Sequence, residues 1–174
     1  YEEYNRSQDN DGRAIFYAMM ENLFPNSKYG TQTVLGSPKD LKNPSMKAIN
    51  AYFEKYYVAS NMAIIMIGDL DFDETIALID NSFGRFEKVS PPEQYIAQEK
   101  TLTENINTEI YSPSAERIQM AYRFEGYNST DAKYIKLIDV MLNNSIAGLM
   151  DLHINQPQKA QSVASATSFY REYG

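Results

Sequence analysis

Glu2 and Glu3, adjacent carboxylates near the start of the 174-residue chain, and His153, its only histidine, have the side-chain types suited to metal binding or proton transfer. Spacing alone does not assemble them. On a helix, neighbouring residues point about 100° apart, so at most one of the two glutamates can face a shared site. Carboxylates near a helix N-terminus are ordinarily solvated and favoured by the helix dipole. His153 has no Ser or Cys nucleophile pattern around it and reads as a packed or exposed residue. Zinc takes three or four ligands with His or Cys among them, and the chain has no cysteine. The acidic cluster Asp69, Asp71, Asp73 and Glu74 superficially resembles a calcium loop, but it lacks the central Gly and terminal Glu of that pattern. A turn followed by helix capping explains it better. Gly30 and Gly36 are not followed by the GK[ST] of a phosphate loop. Gly148, within LNNSIAGLMD, suits close helix packing. From residue chemistry alone the chain holds no complete active site.

The elements that would position these groups follow from periodicity. From Glu3 to Phe24 the pattern is helical, with Ile15, Met19 and Leu23 on one face, and Pro25 ends it. Residues 25–45 carry three prolines and two glycines and read as a long ordered loop. Ser45 can cap a helix over SMKAINAYFEKYYV, buried along Ile49, Phe53 and Tyr56 or Tyr57. The apolar run NMAIIMIGDL predicts a buried central strand. Asp71 and Asp73 offer caps to a helix over DETIALIDNSFGRF. Residues 88–104 lose periodicity and contain the Pro-Pro pair of a linker. Beyond them NTEIYSP, ERIQMAYRF and SVASATSFY are strand-like, and Ser129 or Thr130 caps a helix through Leu142. The expected fold class is α/β, in two lobes.

Bulk properties narrow the partners. A net charge of −7 with no basic block argues against nucleic acid, which needs clustered Lys and Arg, and against anionic lipid surfaces. The longest apolar run, Met62–Gly68, is too short to span a bilayer. Without cysteine there is neither disulfide nor thiolate chemistry. The opening YEEYNRSQDNDGR, already helical in pattern and without an initiator Met, reads as the interior of a longer polypeptide.

Taken in order, EEYNRSQDN, LFPNSKYGTQTVLGSPKDLKN, INAYFEKYYVASNMAIIMIGDLDFDETIALIDNSFGRF, SAERIQMAYRF and LNNSIAGLMDL resemble the pitrilysin/insulinase family of zinc metallopeptidases, of the bacterial processing-protease type. The match is close over residues 1 to about 86 and looser beyond. Members of that family resemble one another in an inverted HxxEH motif, whose two His bind zinc and whose Glu is the general base, with a third Glu ligand on a later helix.

The resemblance implies that Glu3, with Glu2 as the register alternative, is the third zinc ligand. It also implies that the HxxEH segment lies upstream, so that no catalytic residue falls within the chain. It implies a fragment of the two-lobed mitochondrial-processing-peptidase-like metallohydrolase fold: residues 1–90 end the zinc-binding lobe, 91–104 link, and 105–174 begin the second lobe. The LGSPKDLKN loop would pack against the zinc-bearing helix. The parent would be a zinc endopeptidase cleaving peptides or unfolded polypeptides in a closed chamber, completed by a second half in the same or another chain. A non-catalytic partner subunit of the same fold is the alternative. The chain alone is expected to be inactive, to lack a tight Zn2+ site, to carry no membrane span and to be capable of homo-oligomerisation. The family prior places such proteins in the periplasm.

Overall fold

A computed structural model describes Tyr1–Gly174 throughout. Seven α-helices follow in order: α1 Glu2–Gln8, α2 Asp11–Leu23, α3 Lys28–Thr31, α4 Pro38–Lys42, α5 Met46–Tyr56, α6 Phe72–Phe83 and α7 Thr130–Leu142. A 3-10 turn covers Ala59–Asn61 and a π-helical turn Asp151–Asn155. The chain divides into two compact units, Tyr1–Ser114 and Ala115–Gly174.

The α/β expectation is overturned. There is no strand or sheet, only the isolated bridges Glu125–Tyr173 and Asn144–Ile146, so the fold is all-α. Met62–Gly68, expected as a buried central strand, forms neither helix nor ladder, and Ile65 and Ile67 are 83% and 95% exposed. A strand exists only when a neighbour supplies the complementary N–H and C=O groups, and apolar, β-branched composition specifies a preference rather than a partner. ERIQMAYRF is uncovered in the same way, with Ile118, Met120 and Tyr122 exposed. The accessible surface is 14984 Å², against about 8,700 Å² for a folded monomer of this mass. Apolar faces written into the sequence are therefore largely open to solvent.

Helix starts follow from side chains that satisfy otherwise orphaned backbone donors. Ser45 Oγ accepts from Ala48 N at 3.3 Å, Asp71 Oδ1 from Glu74 N at 2.9 Å, and Ser129 Oγ from Ala132 N at 3.2 Å. The single helix expected over Glu3–Phe24 is instead two. Asn10 leaves helical geometry (φ −108°, ψ 102°) and accepts from Arg13 N at 3.0 Å, capping α2 and separating it from α1. Phe24 ends α2 because the following Pro25 disfavours helical backbone at the preceding residue. The expected loop 25–45 contains α3 and α4. On α5 the expected buried stripe is exposed at Ile49, Phe53 and Tyr57; its rings instead pair along the helix, Phe53 on Tyr57 at 4.8 Å and Tyr52 on Tyr56 at 4.5 Å.

The core of the first unit is where α2 meets α3. Met20 and Phe24 are buried, one step around α2 from the half-buried Ile15, Met19 and Leu23. Phe24 meets Tyr29 edge-on at 5.7 Å. Gly30 is required at this crossing, because a Cβ there would lie 2.4 Å from the carbonyl oxygens of both Met20 and Phe24.

In the second unit, Ala132 of α7 is buried. The expected strand SVASATSFY forms no ladder, yet Val163, Ser165, Thr167 and Phe169 are half-buried while the residues between them are exposed. This period of two is spent against a helix. Phe169 meets Phe124 at 5.4 Å, Lys136 Nζ lies 4.9 Å from the Phe169 ring centroid, and Ser165 Oγ donates to Asp139 Oδ1 at 2.5 Å. Close packing at Gly148 is present: a Cβ there would come within 2.5 Å of Asn144 N.

Candidate functional site

Glu2 and Glu3 occupy the first turn of α1, both exposed. No side chain caps α1, whose preceding residue is Tyr1. Its far end is anchored instead: Ser7 is buried and its Oγ donates to Tyr4 O at 2.6 Å. Tyr1, just before the two glutamates, is approached by α4. Ser37 caps that helix reciprocally, accepting from Asp40 N at 3.2 Å and donating to Asp40 Oδ2 at 2.6 Å, and Pro38 sits at the helix start where its missing N–H costs nothing. From the last turn of α4, Lys42 Nζ lies 5.1 Å from the Tyr1 ring centroid, a cation–π distance. The LGSPKDLKN segment thus folds back onto the end of α1 that carries the carboxylates.

His153 sits exposed on the π-helical turn of the second unit. The acidic cluster is absorbed by helix initiation: Asp71 caps α6, and Asp73 and Glu74 stand in its first turn. No three His, Cys, Asp or Glu side chains come together where they could hold a metal ion. With two carboxylates on adjacent positions of one helix and no imidazole or thiolate among them, the residues present do not by themselves fit zinc's preference for a mixed tetrahedral donor set.

One carboxylate is held far more tightly than any of these. Glu99 Oε1 accepts from Ser27 N at 2.7 Å and Asn26 N at 3.0 Å, while its Oε2 accepts from Asn26 Nδ2 at 3.0 Å. Beside it, Ser27 is 1% exposed and its Oγ has no hydrogen-bond partner. A lone glutamate in a Pro-rich stretch carries no local pattern that foretells such a clamp.

A family profile described as the peptidase M16 inactive domain matches residues 45–174. The chain belongs to the peptidase M16 family. Comparison with curated proteins gives no match, and comparison with solved structures gives none either. The M16 match covers α5, α6, α7 and the segments between and after them. It agrees with the resemblance drawn from sequence at the level of the peptidase family, and its description suits a stretch that carries no catalytic group. Residues 1–44, with Glu2, Glu3 and the α2–α3 core, precede the matched region.

Proposed function

We propose that this chain is part of a zinc-dependent M16 endopeptidase of the pitrilysin/insulinase, bacterial processing type, acting on peptides or unfolded polypeptides in a closed chamber, and that the chain itself is non-catalytic. The observation that carries this reading is the M16 match over residues 45–174. Glu3, in the first turn of α1 and exposed, offers one carboxylate to a zinc ion whose remaining ligands come from outside this chain, with Glu2 as the alternative in register. Lys42 packed on Tyr1 limits the freedom of that turn. The uncovered apolar runs at 62–68 and 117–123 suit completion by the other half of the peptidase, or by a second copy of the chain. The periplasm remains the expected location.

A second reading, a non-catalytic partner subunit forming a chamber wall, is favoured by the description of the matched region as an inactive domain. Metal analysis of the intact protein separates the two. One zinc per protein, lost in Glu3→Gln and retained in Glu2→Gln, is the outcome expected for the peptidase. Zinc lost only in Glu2→Gln moves the ligand by one residue. Absence of zinc from the unmodified protein would sink the peptidase reading and leave the partner subunit.

A further inference from the structure

Four Asn–Ser pairs occur in the chain, beginning at Asn26, Asn81, Asn128 and Asn144, and there is no Asn–Gly pair. Asparagine is a thermolabile residue type. Before a small residue it can lose its side-chain amide when the next backbone nitrogen attacks Cγ, and a nitrogen already committed to a hydrogen bond must first be released. Three of the four nitrogens are committed. Ser27 N donates to Glu99 Oε1 at 2.7 Å and Asn26 Nδ2 to Glu99 Oε2 at 3.0 Å, so the attacking and the leaving nitrogen are both held. Ser129 N donates to Gly126 O at 2.9 Å. Ser82 lies inside α6, where its N–H belongs to the helical ladder. The fourth pair differs. Asn144 and Ser145 are both exposed, just after α7, and Ser145 has φ 49°, in the left-handed region. Their carbonyls hold the turn, Asn144 O accepting from Ala147 N at 3.0 Å and Ser145 O from Gly148 N at 3.3 Å, but Ser145 N makes no backbone hydrogen bond. The preceding Asn143 is itself held, its Nδ2 donating to Ser165 O at 2.8 Å.

We propose that Asn144 is a deamidation site, the fastest of the four Asn–Ser pairs, and that the folded chain shields the other three. Ser145 N forms a bond to Asn144 Cγ as its proton passes to a solvent base. The Cγ–Nδ2 bond breaks, and the amide nitrogen takes a proton from water and leaves as ammonia. Water then opens the cyclic succinimide at either carbonyl, giving aspartate or the β-linked isoaspartate. No electron is gained or lost, and water is the only co-reactant. Both products place a new negative charge in the turn. Isoaspartate also lengthens the main chain by one methylene at a crowded point, since a Cβ on Gly148 would already come within 2.5 Å of Asn144 N. The reaction therefore alters the turn that follows α7.

Ageing the intact, unmodified protein at mildly alkaline pH tests this, with peptide mass mapping of amide-to-acid conversion at each of the four asparagines. Asn144 is expected to convert about tenfold or more faster than Asn26, the factor for releasing a hydrogen bond to a charged acceptor. It should lead Asn128, whose neighbour bonds a neutral carbonyl, by a smaller margin of about two- to tenfold. A parallel sample in concentrated urea supplies the control. There all four pairs share the same Asn–Ser chemistry, and their rates are expected to converge to within about threefold, because urea releases the hydrogen bonds that separated them. Conversion at Asn144 no faster than at Asn26 or Asn128 in the folded protein would overturn the proposal. So would a lead for Asn144 that persists undiminished in urea, because neighbouring sequence rather than the fold would then set the order.

Discussion

Both units fold a non-helical segment back along a helix, residues 99–114 on α2 in the first and 163–174 on α7 in the second, but they hold it by different physics. The second return is partly packed: alternate side chains from Val163 to Phe169 are half-buried, and Phe169 lies edge-on to Phe124. Its end is stitched by backbone hydrogen bonds. Phe124 N and Gly174 N each donate to the other's carbonyl at 3.0 Å, and Gly126 N donates to Glu172 O at 3.0 Å. Residues 99–114 are held instead through the side chains of Glu99, Thr108 and Ser114, which bond to Asn26 and Ser27, Asn22 and Asp11. The difference shows that burial and tethering need not coincide. The first unit concentrates its apolar burial in one helix crossing, whereas the second spreads a weaker burial along its return.

The largest test of this contrast is truncation of one ring in each unit. Phe24→Ala removes a side chain that is 1% exposed and is expected to destabilise the first unit by about 3–5 kcal/mol, the range for buried aromatics. Phe169→Ala, at a half-buried position, is expected to cost about 1–2 kcal/mol. Chemical denaturation of each variant reads both values, and equal losses would erase the distinction. A smaller effect is expected from Asn155→Ala. Asn155 Nδ2 donates to Val163 O at 3.0 Å and its Oδ1 accepts from Val163 N at 2.8 Å, so the substitution should cost about 1–2 kcal/mol and raise amide exchange at Val163 before anywhere in α7. The smallest effect belongs to the uncovered run. Ile67→Lys is expected to shift stability by less than about 0.5 kcal/mol, measured by thermal unfolding; a loss several times larger would mean that Ile67 is covered in solution.

Helix starts were legible in the sequence because a cap is a local object. Ser45, Asp71 and Ser129 each reach a backbone N–H three residues on, and nothing distant can interfere. The break at Asn10 was equally local but was hidden by an apolar period that continues through it. Strands were not legible in the same sense. MAIIMIG and ERIQMAYRF announce apolar faces that need covering, but the covering groups lie elsewhere in sequence, and extended preference without a partner yields no ladder. Of the candidate site, residue chemistry isolated Glu2 and Glu3 as carboxylates and nothing more; only the family resemblance gave Glu3 a role. Glu99 escaped both, since its partners lie 72 and 73 residues away.

The sequence separations of these contacts also bear on the order in which the chain folds. The Asn155–Val163 pairing spans 8 residues, a loop that closes in roughly 10–100 ns. The contacts of Glu99, Thr108 and Ser114 with Asn26, Asn22 and Asp11 span 73, 86 and 103 residues, and closing a loop about ten times longer costs about 2 kcal/mol more in chain entropy. The carboxyl-terminal return can therefore form from its own short stretch of chain as soon as that stretch exists. The amino-terminal unit, first to leave the ribosome, is the last to be fastened.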